Sequence, residues 1–282
     1  MDTSKAYQKD LEQFSTYLLK TYEINNAEDI KTAFIRSWVV RLVEEGRAMS
    51  TIKRKLSAVK SYFNYLERHH QLQKNPMVKI PIPKVSQKLP SYLQENEIDQ
   101  LFNRLQWPQD FSSQRDRLIL DLLYNTGLRR AELIDLKIAS LDWANACLVV
   151  IGKGAKERLI PFGKNLGTRI KKYLILRDAT FPNVAISHLL LTDKGKILYP
   201  KFVYNKVKQY LTLVSSAEKL SPHVLRHTFA THLSNNGADL NAIKELLGHS
   251  SLAATQVYTH NTIDQLKAIY GQAHPKARSG LS

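Results

Sequence analysis

The sequence predicts a mainly α-helical protein in two parts: a small helical N-terminal domain over residues 1–74, and a larger, mostly helical domain over 92–282 with a small β-hairpin. Three observations predict it. Apolar residues recur at helical intervals through nearly every segment, a proline- and lysine-rich stretch over 75–91 interrupts them, and two short apolar strand-like runs flank a glycine-containing turn between 146 and 162. At 282 residues the chain is long for one domain and comfortable for two.

The first helix is predicted over 3–22, with Tyr7, Leu11, Phe14 and Leu18 in one stripe. Asn26 is the expected cap of a second, whose Ile30, Phe34, Trp38 and Leu42 face a core until Gly46 stops it. Ser50 is the expected cap of a third, carrying Ile52, Leu56, Val59, Phe63 and Leu66. On that helix Lys53, Ser57, Lys60 and Asn64 form a separate polar stripe, roughly a third of a turn round from the apolar one. Such a stripe suits phosphates or a major groove, and equally a solvent face. The prolines of KNPMVKIPIPKVSQKLP, 74–90, deny it a helix, so it reads as a linker.

The second part opens with a helix over about 94–105, then one over 114–125 with Leu118, Leu122 and Leu123, stopped by Gly127. Arg129 follows at the start of a short helix, and Glu132 three residues on brings a carboxylate beside its guanidinium. ACLVVIG and RLIPF are the strands of the hairpin, with Lys153 and Lys156 at its tip. A helix over 165–177, the apolar run HLLLT and a helix over 201–214 follow. Pro222 then starts a helix whose apolar Val224, Leu225, Phe229 and Leu233 recur at helical intervals and from which His223 and Arg226 project on one face, with its end at Gly237. Asp239 caps a short helix over 240–247 that Gly248 ends, so His249 sits just past a helix terminus, and Tyr258 comes nine residues later. Ile263, Leu266, Ile269 and Tyr270 form a stripe on a last short helix, about 262–272.

The formal charge of +16 favours a polyanionic partner, although a solvated basic surface gives the same count. Cys147 is the single cysteine, which excludes an internal disulfide and suggests a reducing compartment. The N-terminal MDTSKAYQKDLEQF places acids where a signal peptide needs an apolar core, and no apolar run approaches the roughly 18 residues of a spanning helix, so a cytoplasmic protein without a membrane is expected. His223 and His227 stand four apart, but the chain lacks HExxH and Arg226 between them repels a cation, so no metal is expected. His227 and His232 read as packing histidines.

The pattern HxxR at 223–226, LGH at 247–249 and a tyrosine nine residues later, preceded by TGLRRAEL at 126–133 and IGKGAKER at 151–158, resembles the tyrosine recombinases of the phage integrase family, and most of all the bacterial Xer recombinases. Six positions match: Arg129, Lys153, His223, Arg226, His249 and Tyr258. The resemblance implies a catalytic role for all six and an orienting role for Glu132. It also implies an N-terminal DNA-binding domain that clamps duplex DNA with the catalytic domain, using Lys53, Lys60 and Lys156. Partners would be double-stranded DNA with a specific site and a homo- or heterotetramer on two duplexes assembled through the C-terminal helix, with an activating protein as a further possible partner.

Those residues suit strand transfer without water, metal or nucleotide cofactor. A phenol at Tyr258 is the nucleophile; its ordinary pKa of about 10 calls for a base or a positive field at neutral pH. Arg129 and Arg226 match two phosphate oxygens, His223 and His249 donate to the same oxygens, His223 can also accept the phenolic proton, and Lys153 is the candidate acid for the leaving 5′-oxygen. The expected product is a 3′-phosphotyrosyl link that a second 5′-hydroxyl can reverse. Xer-type resolution of chromosome or plasmid dimers is the leading reading, favoured by the lack of an arm-binding domain ahead of the helical region. A mobile-element integrase is the runner-up within the family. A type IB topoisomerase and a non-catalytic DNA-binding protein are the readings from other classes.

Overall fold

The apolar stripes of the N-terminal part form three helices, α1 (Thr3–Tyr22), α2 (Thr32–Glu44) and α3 (Met49–Arg68). The computed structural model describes residues 3–72, 74–83, 92–152, 157–183, 185–248 and 260–278, and the chain divides into two units, 1–88 and 89–282. In the first unit Ile52, Leu56, Val59 and Phe63 of α3 are fully buried against Phe14 and Leu18 of α1 and Ile35, Trp38 and Leu42 of α2. Two expected caps are corrected. Asn26 precedes only a 3₁₀ turn, Ala27–Asp29, and α2 starts behind Lys31, so its buried stripe is Ile35, Trp38 and Leu42 with Phe34 at the margin. Ser50 lies inside α3, whose N-cap is Ala48. The apolar period sets these helices, and their starts follow the packing rather than the nearest capping side chain.

The same core takes in Met77 and Ile80, and Thr32 Oγ1 donates to the Pro76 carbonyl at 2.9 Å. On the same helix as the polar stripe, Lys55 is buried, donating to Asp10 at 3.1 Å and to Gln13, while Arg54 also reaches Asp10. A buried cation survives only with such partners.

In the second unit α4 (Glu95–Asp99) runs into a π-helical turn, Gln100–Arg104, and α5 (Phe111–Thr126) is the central helix. Asp110 caps α5 by accepting from Ser113 N at 2.9 Å. α5 is buried on every face, and its charges are paired: Arg115 with Asp116 at 2.7 Å and Asp193 at 2.8 Å, Asp121 with Arg169 at 2.8 Å. Around it stand α6 (Arg130–Asp135), α7 (Lys164–Thr180), α8 (Pro200–Leu211) and α9 (Pro222–Asn235). The expected hairpin is part of a three-stranded antiparallel sheet, β1 (Leu141–Asp142), β2 (Cys147–Ile151) and β3 (Glu157–Pro161), in sequential order and with Val150 opposite Arg158. Leu189, Leu190 and Leu191 of the HLLLT run are fully buried.

α10 (Leu240–Leu247) begins at Asp239, whose carboxylate accepts from Asn241 N at 2.8 Å and Ala242 N at 3.1 Å. α11 (His260–Ala273) and α12 (Pro275–Arg278) end the described chain. Leu266 and Tyr270 of α11 lie in the core of their own unit, followed by His274, which stacks on Tyr270 at 4.9 Å and which burial pushes down to about 3, keeping it neutral. No helix among the described residues is long and apolar enough to cross a membrane.

Candidate active site

Gly127 ends α5 in the left-handed region at φ 60°, and two residues later Arg129 is the N-cap of α6. Glu132, in the first turn of α6, accepts from the Arg129 backbone N–H at 2.8 Å and from Arg129 Nη1 at 2.7 Å. Both arms of a third guanidinium, Arg158 on β3, close on the same carboxylate: Nη1 at 3.0 Å and Nη2 at 2.7 Å. Arg226 comes from α9, where one helical turn separates it from His223; it is buried, whereas His223 is exposed.

These arginines meet at the C-terminus of α10. Arg158 Nε donates to the Leu246 carbonyl at 3.0 Å, Arg226 Nη2 to the Leu247 carbonyl at 2.7 Å, and Arg129 Nη2 to the Gly248 carbonyl at 2.9 Å. Arg226 Nη1 also donates to the Gly127 carbonyl. Terminal helix carbonyls lack intrahelical partners and carry the negative end of the dipole, so three successive ones form a natural seat for cations. Gly248 turns the chain away at φ 62° and leaves room for Arg158: a Cβ there would stand 3.0 Å from Arg158 Cδ.

Charge does not balance at this seat. Burial raises the Glu132 carboxyl, but hydrogen bonds and charge from Arg158, then Arg129, outweigh it and bring it to about 2. Burial lowers Arg226 to about 10, with the neighbouring Arg129 adding to the effect and Glu132 opposing it. Three guanidiniums thus face one carboxylate. The Arg129 side chain is 37% exposed while Arg158 is 5%, so Arg129 is the member open to an incoming group. Two excess positive charges on planar donors suit a bound oxyanion with more than one acceptor oxygen, such as a phosphodiester.

Over residues 91–264 the sequence matches the profile of the Phage integrase family, and over residues 1–70 that of the Phage integrase, N-terminal SAM-like domain. The chain belongs to the phage integrase family. Within it, the chain is 37% identical over 300 residues to the tyrosine recombinase XerC of Chlorobaculum parvum, covering 98% of this chain and 89% of that protein. It is 35% identical over 277 residues to the tyrosine recombinase XerD of Halalkalibacterium halodurans, covering 98% and 92%. Among solved structures, XerH site-specific recombinase bound to palindromic difH substrate in a post-cleavage complex matches with a TM-score of 0.71 at 25% identity, over 95% of this chain and 78% of that one.

Of the site residues expected in this family member, the structure brings Arg129, Glu132 and Arg226 together at the end of α10. Lys153, Lys156, His249 and Tyr258 lie outside the described residues. Lys53 and Lys60 are exposed on α3 in the first unit. His232 is buried, its Nε2 donating to the Leu93 carbonyl at 2.9 Å and its Nδ1 accepting from Tyr124 at 3.0 Å, while His227 lies edge-on to Tyr92. Among the described residues no group of three or more His, Cys, Asp and Glu side chains converges on a metal position.

Arg158 was missed by the sequence reading. The signal for it was strand alternation: Arg158 shares a face with the buried Ile160, so a period-two pattern turns this charge inward, where it requires a carboxylate.

Proposed function

We propose that this chain is a site-specific DNA recombinase that cuts and rejoins strands by transesterification, working as a Xer-type enzyme in the resolution of chromosome or plasmid dimers. The observation that carries the reading is the trio of guanidiniums on successive carbonyls of α10 with a single carboxylate among them. The names of the relatives, XerC and XerD, and the difH-bound state of XerH support it.

In this reading Tyr258 Oη attacks the scissile phosphorus, the P–O5′ bond breaks, and the protein is left on the 3′-phosphate. Arg129 and Arg226 neutralise charge on the non-bridging oxygens, assisted by His223 and His249, and His223 accepts the phenolic proton. Lys153 delivers a proton to the leaving 5′-oxygen. Glu132 orients Arg129. Residues 1–74, with Lys53 and Lys60, form the core-DNA-binding domain, 75–91 the linker, whose Met77 and Ile80 pack into that domain's core, and 92–282 the catalytic domain, with Lys156 on DNA. Four protomers on two duplexes, of one or two kinds, are the working assembly in the cytoplasm, joined through the C-terminal helix, whose Leu266 and Tyr270 stay in the core of their own unit.

The test is a nicked suicide substrate carrying a dif-like site. Wild-type protein should become covalently attached to it, and Tyr258→Phe should bind the same DNA yet trap none. Covalent trapping by Tyr258→Phe at the wild-type level would reject Tyr258 as nucleophile, and no trapping by the wild type on any candidate site would reject the enzyme. Sequencing trapped DNA separates dimer resolution from integration of a mobile element.

A further inference from the structure

We propose that Arg158 is a positioning residue for strand cleavage, fixing Arg129 through Glu132 and fixing the turn at Gly248 through the Leu246 carbonyl. This inference rests on the function proposed above. Arg158 itself is not set to meet DNA: its side chain is 5% exposed, and Nε, Nη1 and Nη2 each make a bond inside the protein.

Arg129 and Glu132 are neighbours at i,i+3 at the start of a six-residue helix, and one such pair leaves a long side chain free to reorient. A fork-to-fork pair removes the remaining freedom of the carboxylate, because both Glu132 oxygens are engaged at once by one planar group. The same guanidinium fills the space over Gly248, the residue that precedes His249, and β3 begins at Glu157, the residue after Lys156 in the sequence. One buried side chain thus ties the strand after Lys153 to the helix end before His249 and to the carboxylate under Arg129.

Glu132 is surrounded by cations from each element facing it, Arg129 at the start of its own helix, Arg158 on β3 and Arg226 on α9, and Arg158 contributes the largest lowering of its carboxyl. Removing Arg158 leaves the burial that raises the carboxyl and takes away its main counterweight. The Glu132 carboxyl then moves upward, toward the protonated form, and loosens its hold on Arg129.

The test uses the full chain with Arg158→Met, Arg158→Lys and Glu132→Gln, comparing DNA affinity, the single-turnover rate of covalent trapping from pH 5.5 to 8.5, and the side-chain 15N signals of Arg129. Arg158→Met should keep DNA affinity within about threefold, since the exposed cations remain, yet trap at least roughly tenfold more slowly at pH 5.5. Raising the pH should restore part of the rate, and adding Glu132→Gln should abolish that pH dependence. The Arg129 signals should broaden in Arg158→Met even without DNA. Arg158→Lys, which keeps the charge and the fold but loses the fork, should fall between the two. Wild-type rates in either Arg158 variant, or a loss equal at every pH with unchanged Arg129 signals, would overturn the role. A wild type that traps no DNA would instead overturn the recombinase reading, and the Arg129 signals would still decide whether Arg158 positions that side chain.

Discussion

Gly127 lies directly against Phe229: a Cβ at 127 would stand 2.6 Å from Phe229 Cδ1, and 2.9 Å from Leu247 Cδ2. The residue that ends α5 thus packs on the helix that carries Arg226 and on the last turn of α10. Phe229 is fully buried and cannot step aside. Gly127→Ala is expected to cost about 3 kcal/mol, combining a left-handed φ of about 1–2 kcal/mol with overpacking of about 1–3 kcal/mol. Urea unfolding measures it, and a loss under about 1 kcal/mol would contradict this packing.

The second prediction concerns acid. Glu132 has a folded-state pKa of about 2, below its ordinary 4.5, so the stability it contributes is present above the ordinary value and lost as pH falls toward the folded one. A depression of this size corresponds to roughly 3 kcal/mol for a buried group. The stability gap between wild type and Glu132→Gln should therefore be full at pH 7 and shrink between about pH 4.5 and 2. A gap that stays constant over that interval would show that the carboxylate charge is not what Arg129 and Arg158 hold.

Arg226→Lys should trap DNA with a loss of at least about 2 kcal/mol of transition-state stabilisation, the scale of removing a preorganised charged donor. The guanidinium spans two carbonyls from different elements, Gly127 and Leu247, and a single ammonium cannot bridge them and still face a phosphate. Near-normal trapping by this variant would remove Arg226 from the reacting group.

α11 contributes Leu266 to the core of its own unit, 3% exposed. Leu266→Ala should destabilise the second unit by about 2–4 kcal/mol, the usual range for a buried leucine. The loss should be the same at low and high protein concentration. A loss that appears only at high concentration would mean that this side chain packs mainly in an assembly.

Local chemistry alone determined the frame of the site. Gly127 and Gly248 stop helices because only glycine enters the left-handed region freely, Asp239 caps α10 by satisfying its first N–H groups, and Glu132 follows Arg129 at helical spacing. These are relations between residues at most a few positions apart, so the sequence carries them. The caps assigned to Asn26 and Ser50 were misplaced for the complementary reason: where apolar faces pack decides where a helix begins, and a nearby polar side chain is only a candidate.

Long-range placement belonged to the tertiary structure. Arg226 and the Leu247 carbonyl are 21 residues apart, Arg158 and Leu246 are 88, and Arg129 and Gly248 are 119; no spacing rule reaches across those intervals. Their meeting follows from packing α9 and α10 on α5 and β3, which brings three separate guanidiniums to one helix end. The sequence named the arginines at 129 and 226; the folded chain decided that a third, at 158, stands behind them, because a charge turned inward by a strand must find its carboxylate.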